Sequence, residues 1–310
     1  MVQAGGNSGK YMVESLLATG KHAVTAITRA DSLYVNEAPS AVHVKKVDYE
    51  NESTLVDALK GQDALIITMG VTAPSGSVEK LIEAAAKANV PWVLPNEWGM
   101  DKTDEQLGKD TFIGVPKKAQ RELIEKLGVS SWIAVATSFW YEWSLAFPWA
   151  YGFDFANRAV TLYDDGETKI HTATWPQVGR GVAALLSLKV RPDGDSDAVT
   201  LEKFRNKFCG VSSFYVSQKD MLDSVLRVTK TKLEDWNITK EPSHERYAAG
   251  VAEFQKGERL GFGKLLYARV FYPDGSGALK DVHNELLGLQ KEDLDEFTEK
   301  AMKRSANPFA

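Results

Sequence analysis

The stretch Met1-Val2-Gln3-Ala4-Gly5-Gly6-Asn7-Ser8-Gly9, continued by Lys10 to Gly20 and then by His22-Ala-Val-Thr-Ala-Ile-Thr-Arg29, decides how this chain reads. A short apolar run enters a glycine turn. Met12, Leu16 and Leu17 recur at helical spacing, Gly20 stops the helix, and Ala23 to Ile27 are rich in β-formers. The pattern is strand, turn, helix, strand. Such a turn leaves backbone N–H groups unpaired at the start of a helix, where the dipole favours an anion and a missing Cβ lets a pyrophosphate approach. Gly5, Gly6, Asn7, Ser8 and Gly9 are therefore the candidate cofactor-binding residues, with a glycine-rich surface turn as the alternative. Arg29 follows Gly9 by 20 residues and ends the second strand. An acid there suits the ribose of NAD, whereas an arginine suits the extra phosphate of NADP, so the expected cofactor is NADPH.

Outward from this stretch, strands are expected at 1–4, 23–27, 42–47, 64–68, 91–94 and 132–136, with helices at 8–19, 51–60, 76–89 and 116–127. This alternation implies an α/β fold, a doubly wound parallel sheet of Rossmann-like type. A smaller α+β substrate domain completes the chain. The cofactor domain is expected over 1–137 with about 171–188, and the substrate domain over 138–170 and 189–310. Ligands of such sheets gather at the carboxyl ends of the strands. Met69 and Gly70 lie at one of those ends, Asn96 and Glu97 at another.

The Gly6-x-x-Gly9 turn with His22 to Arg29, the run Leu81-Ile-Glu-Ala-Ala-Ala-Lys-Ala-Asn-Val90, Pro95-Asn-Glu-Trp-Gly99 and the helix from Lys117 to Gly128 resemble the isoflavone-reductase-like and NmrA-like family of atypical short-chain dehydrogenases. The likeness is specific to about residue 145. It implies that Asp48 lies near the adenine, with helix capping as the other reading. It also implies that Trp98 stands where the family has Phe beside the nicotinamide, and that Lys117 matches the catalytic lysine. One departure is plain: the first glycine of the family's turn falls at Gln3. A non-glycine residue held at positive φ costs on the order of 1–3 kcal/mol, whereas an extended Gln3 costs nothing.

The residues themselves lead to the same lysine. With Leu123, Ile124 and Leu127 setting the apolar side of the 116–127 helix, Lys118 points about 175° away and Lys117 about 75° away. Lys118 thus faces water, within reach of Glu122. Lys117 borders the buried side, where it either snorkels or enters a cleft. At a helix N-terminus and partly desolvated, its ammonium is expected to lose its proton more readily than usual and so to assist proton transfer. Glu97 either meets the cofactor or serves structure by capping a helix or pairing with a lysine. Phe139, Trp140, Tyr141 and Trp143 open a run of eight aromatics within fifteen residues. With Trp98 they suit a pocket for a flat phenolic ligand, though a core or a dimer surface explains the run equally well. Tyr141 is the reserve proton donor. The one Tyr-x-x-x-Lys match, Tyr215 to Lys219, lies far beyond the sixth strand, with Ser217 placed to cap the next helix; its spacing reads as chance. His171 and His283 read as structural.

The composition restricts the alternatives. The 310 residues carry a formal net charge of −5 and are 44% hydrophobic, which opposes a nucleic-acid footprint. The single cysteine, Cys209, reads as buried and cannot build a zinc cage, so no metal is expected. The apolar stretch 132–153 is broken by Glu142 and Pro148, so no membrane span is expected. No leader is read ahead of the turn, and a cytoplasmic monomer or homodimer is expected. These observations favour an NADPH-dependent reductase of a small aromatic or conjugated carbonyl or phenolic compound. The alternative is a non-catalytic NADP(H)-binding regulator of the NmrA-like type.

Overall fold

The computed structural model describes residues 1–32, 34, 40–70, 73–100, 105–194 and 198–307. The sequence opens with the apolar pair Met1-Val2, and Val2 becomes the middle of a parallel sheet. It bridges Ile27 on one side and Ile67 on the other, through Val2 N–H to Ile66 O at 2.9 Å and Ile27 N–H to Met1 O at 2.9 Å. To one side lie β1 (Val24–Arg29) and β2 (Val42–Val47), in parallel register. To the other lie β3 (Ala64–Ile66), β4 (Trp92–Leu94) and β5 (Ser131–Ala136), also parallel. The strand order reverses at Val2, as the alternating pattern requires.

Helix α1 (Gly9–Ala18) buries Met12, Val13 and Leu16 on one face of the sheet. The opposite face takes α2 (Glu52–Leu59), capped by the Asn51 carboxamide, and α3 (Ser77–Lys87). It also takes α5 (Gly114–Leu127) through Ile124, after the short α4 (Glu105–Asp110). Each apolar side chain buried in this way contributes roughly 1.5–3 kcal/mol, so the two helical layers hold the strand ends in fixed register.

Past β5 the chain builds a second core. It runs through β6 (Phe139–Trp140), α6 (Tyr141–Ser144), α7 (Pro148–Tyr151), β7 (Phe153–Asp154), β8 (Ala159–Tyr163) and β9 (Ile170–Ala173). Helix α8 (Trp175–Leu186), started by the Thr174 hydroxyl on the Gln177 N–H, returns to pack on α1. Then β10 (Lys207–Gly210) pairs in parallel with β5, extending the main sheet. The sequence reading gave 189–310 mainly to the smaller unit, with the chain crossing between the two more than once. It missed β10 because a four-residue strand with an exposed lysine carries little periodicity. The outer edge of β10 is covered by its own chain: His283 N–H donates to Gly210 O at 2.8 Å, and Gly210 N–H donates to His283 Nδ1 at 3.1 Å. A side chain on Gly210 would collide with the Asp281 carbonyl.

The remaining elements complete the second core: β11 (Phe214–Val216) on β9, α9 (Gln218–Thr229), β12 (Asn237–Glu241) on β8, α10 (Ser243–Gln255), α11 (Arg259–Val270) and α12 (Leu294–Ala306). Ser217 and Asp220 form the capping box of α9. This separates Tyr215, exposed on its strand, from Lys219, which pairs with Glu167 at 2.6 Å. No helix among the described residues is long and apolar enough to cross a membrane.

The first strand departs from expectation. Only Val2 pairs, because Gln3 turns the chain with φ at +51°. Gln3 therefore adopts the strained geometry and not the extended one. Its side chain offsets part of the cost, the carboxamide Oε1 accepting the Gly70 N–H at 3.0 Å. A neutral hydrogen bond is worth about 0.5–1.5 kcal/mol net, comparable with the strain. Gln3→Gly removes both strain and bond, whereas Gln3→Ala removes only the bond. Urea unfolding is expected to find the glycine variant more stable than the alanine one by about 1–2 kcal/mol. Equal stabilities would show that the turn carries no strain.

Candidate functional site: a cross-tied cleft at the strand ends

The loops at the carboxyl edge of the sheet are tied to one another. Gln3 holds Gly70, as above. Asn96 Nδ2 donates to Met69 O at 2.8 Å, and Trp98 Nε1 donates to Ile67 O at 2.7 Å. The N–H groups of Thr137 and Ser138 both donate to Gly99 O at 2.9 Å. The segment 95–99 is thus bonded to the loop beyond β3 and to the loop beyond β5. Of the residues picked from sequence, Asn96, Trp98, Met69 and Gly70 are brought together in this way. The Gly70 N–H and Met69 O are consumed by it.

At the head of the cleft, α1 starts close against its own turn. A Cβ on Gly9 would collide with the Gln3 carbonyl oxygen, and one on Gly6 would press on the same oxygen at 3.3 Å. Gly6 N–H is spent on Gln3 O at 3.0 Å, but among the described residues no acceptor meets the N–H of Asn7, Ser8 or Gly9. Three donors at the positive end of a helix are suited to a phosphate group. Gly5 has a different reason to be glycine: the Tyr34 ring lies where its Cβ would be. Sequence reasoning did not single out Tyr34. Arg29 ends β1 exposed, 3.5 Å from Asp31. Asp48 is exposed, and its carboxylate accepts the Glu50 N–H at 2.9 Å while Asn51 caps α2, so Asp48 shapes the turn before the helix and is not its cap.

Glu97 is the clearest correction. It is 1% exposed, and both carboxylate oxygens lie 2.6 Å from Nη1 of Arg121. It is paired with an arginine of α5, which the sequence reading did not name. The Arg121 guanidinium also lies over the Trp132 and Phe208 rings, at 5.4 and 5.0 Å. Lys117 precedes Arg121 by one turn and so shares its face of α5. It is half-buried, while Lys118 is exposed and meets Glu105 at 3.7 Å and not Glu122. The helical geometry was legible; the tertiary partner was not. A pair 24 residues apart in sequence leaves no local signal.

The aromatic run does not form one wall. Phe139 stacks on Tyr267 with ring centres 4.2 Å apart, inside the second core. Tyr141 is fully buried and shares a 2.7 Å hydrogen bond with Thr298. Burial pushes its phenol far above the usual range, so Tyr141 is neither a pocket residue nor a reserve proton donor. Trp140 and Trp143 lie instead around Trp175, at 6.2 and 6.4 Å. Cys209 is buried, and desolvation pushes its thiol up to about 12. His171 Nδ1 accepts the Leu279 N–H at 2.8 Å, and burial lowers the pKa of both His171 and His283. Both histidines are structural. Ser138, also missed from sequence, has φ at +56° and a buried hydroxyl with no partner among the described residues.

Residues 4–133 match the family described as NAD(P)H-binding. Along nearly its whole length the chain is similar to "Oxidoreductase aprR" of Aspergillus flavus, 26% identical over 98% of each protein. Its fold is that of isoflavone and pinoresinol reductases. A structure described as AtPrR2 with NADP+ and (+)pinoresinol superimposes with a TM-score of 0.75 at 19% identity, covering 97% of both chains. An isoflavone reductase gives 0.72 at 17% identity, covering 96% of this chain and 97% of the other.

The Glu97–Arg121 pair supports a direct test. Removing one partner of a buried pair costs about 3–5 kcal/mol. Arg121→Met is expected to lose that much stability in urea unfolding, and the double variant Glu97→Gln/Arg121→Met to recover more than half of it. A double variant no better than the single one would mean that the loss comes from the arginine's ring contacts.

Proposed function

We propose that the chain is an NADPH-dependent reductase acting on a small aromatic or conjugated carbonyl or phenolic compound, with Lys117 assisting proton transfer. The observation that carries this reading is the combination, at one sheet edge, of the unmet N–H groups of Asn7, Ser8 and Gly9 with a half-buried lysine on the helix pinned to Glu97. A sensor needs the first but not the second. Fold and relatives support it: the similar protein of Aspergillus flavus is named an oxidoreductase, and a structure of this fold is described with NADP+ and (+)pinoresinol.

The residues present fit the cofactor. Asn7, Ser8 and Gly9 would donate to the pyrophosphate, Arg29 would meet the 2′-phosphate by exchanging Asp31 for it, and the Ser138 hydroxyl is available to the carboxamide of the nicotinamide. Bound NADPH supplies the hydride. Lys117 would hold the substrate oxygen and neutralise the negative charge gathering on it, then pass it a proton. The tied segment 95–99 keeps the Trp98 ring and the α5 start in place, so that little reorganisation is needed on binding.

Oxidation of NADPH with a panel of enones, quinones, imines and phenolic ethers tests the activity. Lys117→Ala is expected to slow turnover about 100-fold or more while NADPH binding, read by calorimetry, changes less than about threefold. Tight cofactor binding with no turnover on any of these compounds would favour the regulator reading. Arg29→Ala is expected to weaken NADPH about 10- to 100-fold and leave NADH unchanged, as befits a lost charge-assisted contact. Equal losses for the two cofactors would remove Arg29 from the phosphate site.

A further inference from the structure

On the sheet face opposite to α5, the first turn of α1, the start of α8, helix α6 and the last turns of α12 enclose a cavity of about 370 Å³. Its lining includes Tyr11, Glu142, Trp175, Phe297, Lys303 and Arg304. Glu142 is 5% exposed. One of its oxygens accepts the Trp175 N–H at 2.9 Å, and the other is buried with no partner among the described residues. Arg304 lies over the Trp175 ring at 4.8 Å and the Trp143 ring at 5.8 Å, with no carboxylate paired to it among the described residues. A guanidinium held between indoles keeps its N–H edge for a planar oxyanion.

We propose that this cavity binds a small aromatic carboxylate, its oxygens held by Arg304 and by the unpartnered oxygen of Glu142, its ring against Trp175 and Phe297. Lys117 stands on the other helical layer, so the site is separate from the one proposed for reduction. A carboxyl group facing an anion must carry a proton. Burial raises Glu142 from its usual range to about 7, opposed by backbone N–H groups, its own and that of Trp175, and more weakly by Lys300, and helped by Glu292; Tyr11, Lys303 and Arg304 are the other charged or titratable groups lining the cavity. Protonated, Glu142 donates to the ligand; ionised, it repels it. Binding is therefore coupled to proton uptake and weakens as the pH rises through about 7.

The test is calorimetry of the full chain with benzoate, repeated with inorganic phosphate. The expectation is saturable benzoate binding, about tenfold weaker at about pH 8 than at about pH 6. Near neutrality, the heat should depend on buffer ionisation enthalpy in the sense of proton uptake. Arg304→Gln should weaken binding at least about tenfold, and Glu142→Gln should flatten the pH dependence. The proposal is overturned by no saturation at about 10 mM benzoate, by equal binding in Arg304→Gln, or by phosphate binding as well as benzoate. Competitive displacement of benzoate by NADP+ would also overturn it, because it would locate benzoate in the cofactor cleft. Should NADPH oxidation fail on every substrate while benzoate still binds, the reductase reading falls and this one stands.

Discussion

The structure depends on a strand one residue wide. Val2 is all that joins β1 to β3, and the turn that follows must begin at once, because a further extended residue would carry α1 past the edge where its N–H groups are of use. Gln3 makes that turn in a backbone conformation natural to glycine. The side chain that makes the conformation costly also supplies a carboxamide to the next loop. Gly9 then lets the helix sit directly on the Gln3 carbonyl. Position, strain and compensation at the head of the cleft thus fall within seven residues.

From there the order spreads sideways by hydrogen bonds among loops, which are usually the looser parts of a doubly wound fold. Asn96 and Trp98 each spend a side-chain donor on the backbone beyond β3, and Gly99 receives two N–H groups from beyond β5. The buried Glu97 extends the same segment into the α4–α5 layer through Arg121. A dry ion pair contributes little net stability over an apolar contact of the same shape, but it tolerates very little displacement. Its effect here is to fix how α5, and with it Lys117, stands over the strand ends.

Much of this was legible in the sequence, and the omissions have a common cause. Apolar runs alternating with helical patterns located β1 to β5 and α1, α2, α3 and α5 to within a few residues, whereas the six-residue α4 was not read from the sequence. The half-buried state of Lys117 against the exposed state of Lys118 followed from angles on a single helix. What failed were statements that needed a second element: the partner of Glu97, the partner of Lys118, the ring that covers Gly5, the pairing of β10. The aromatic run failed for another reason. A four-residue helix at 141–144 turns successive rings toward different cores, so that Tyr141 bonds Thr298 while Trp143 reaches Trp175. Composition announced a wall; the turn divided it.

The segment at 281–283 that covers β10 has a consequence for how the chain matures. Strand β10 ends at Gly210, yet its outward N–H and carbonyl are satisfied only by His283, some seventy residues later. During synthesis the parallel sheet is therefore assembled well before its border is sealed. Over that interval the open border is a template for a neighbouring nascent chain. A protein truncated ahead of the seal would keep its nucleotide fold and yet be prone to sticking to copies of itself.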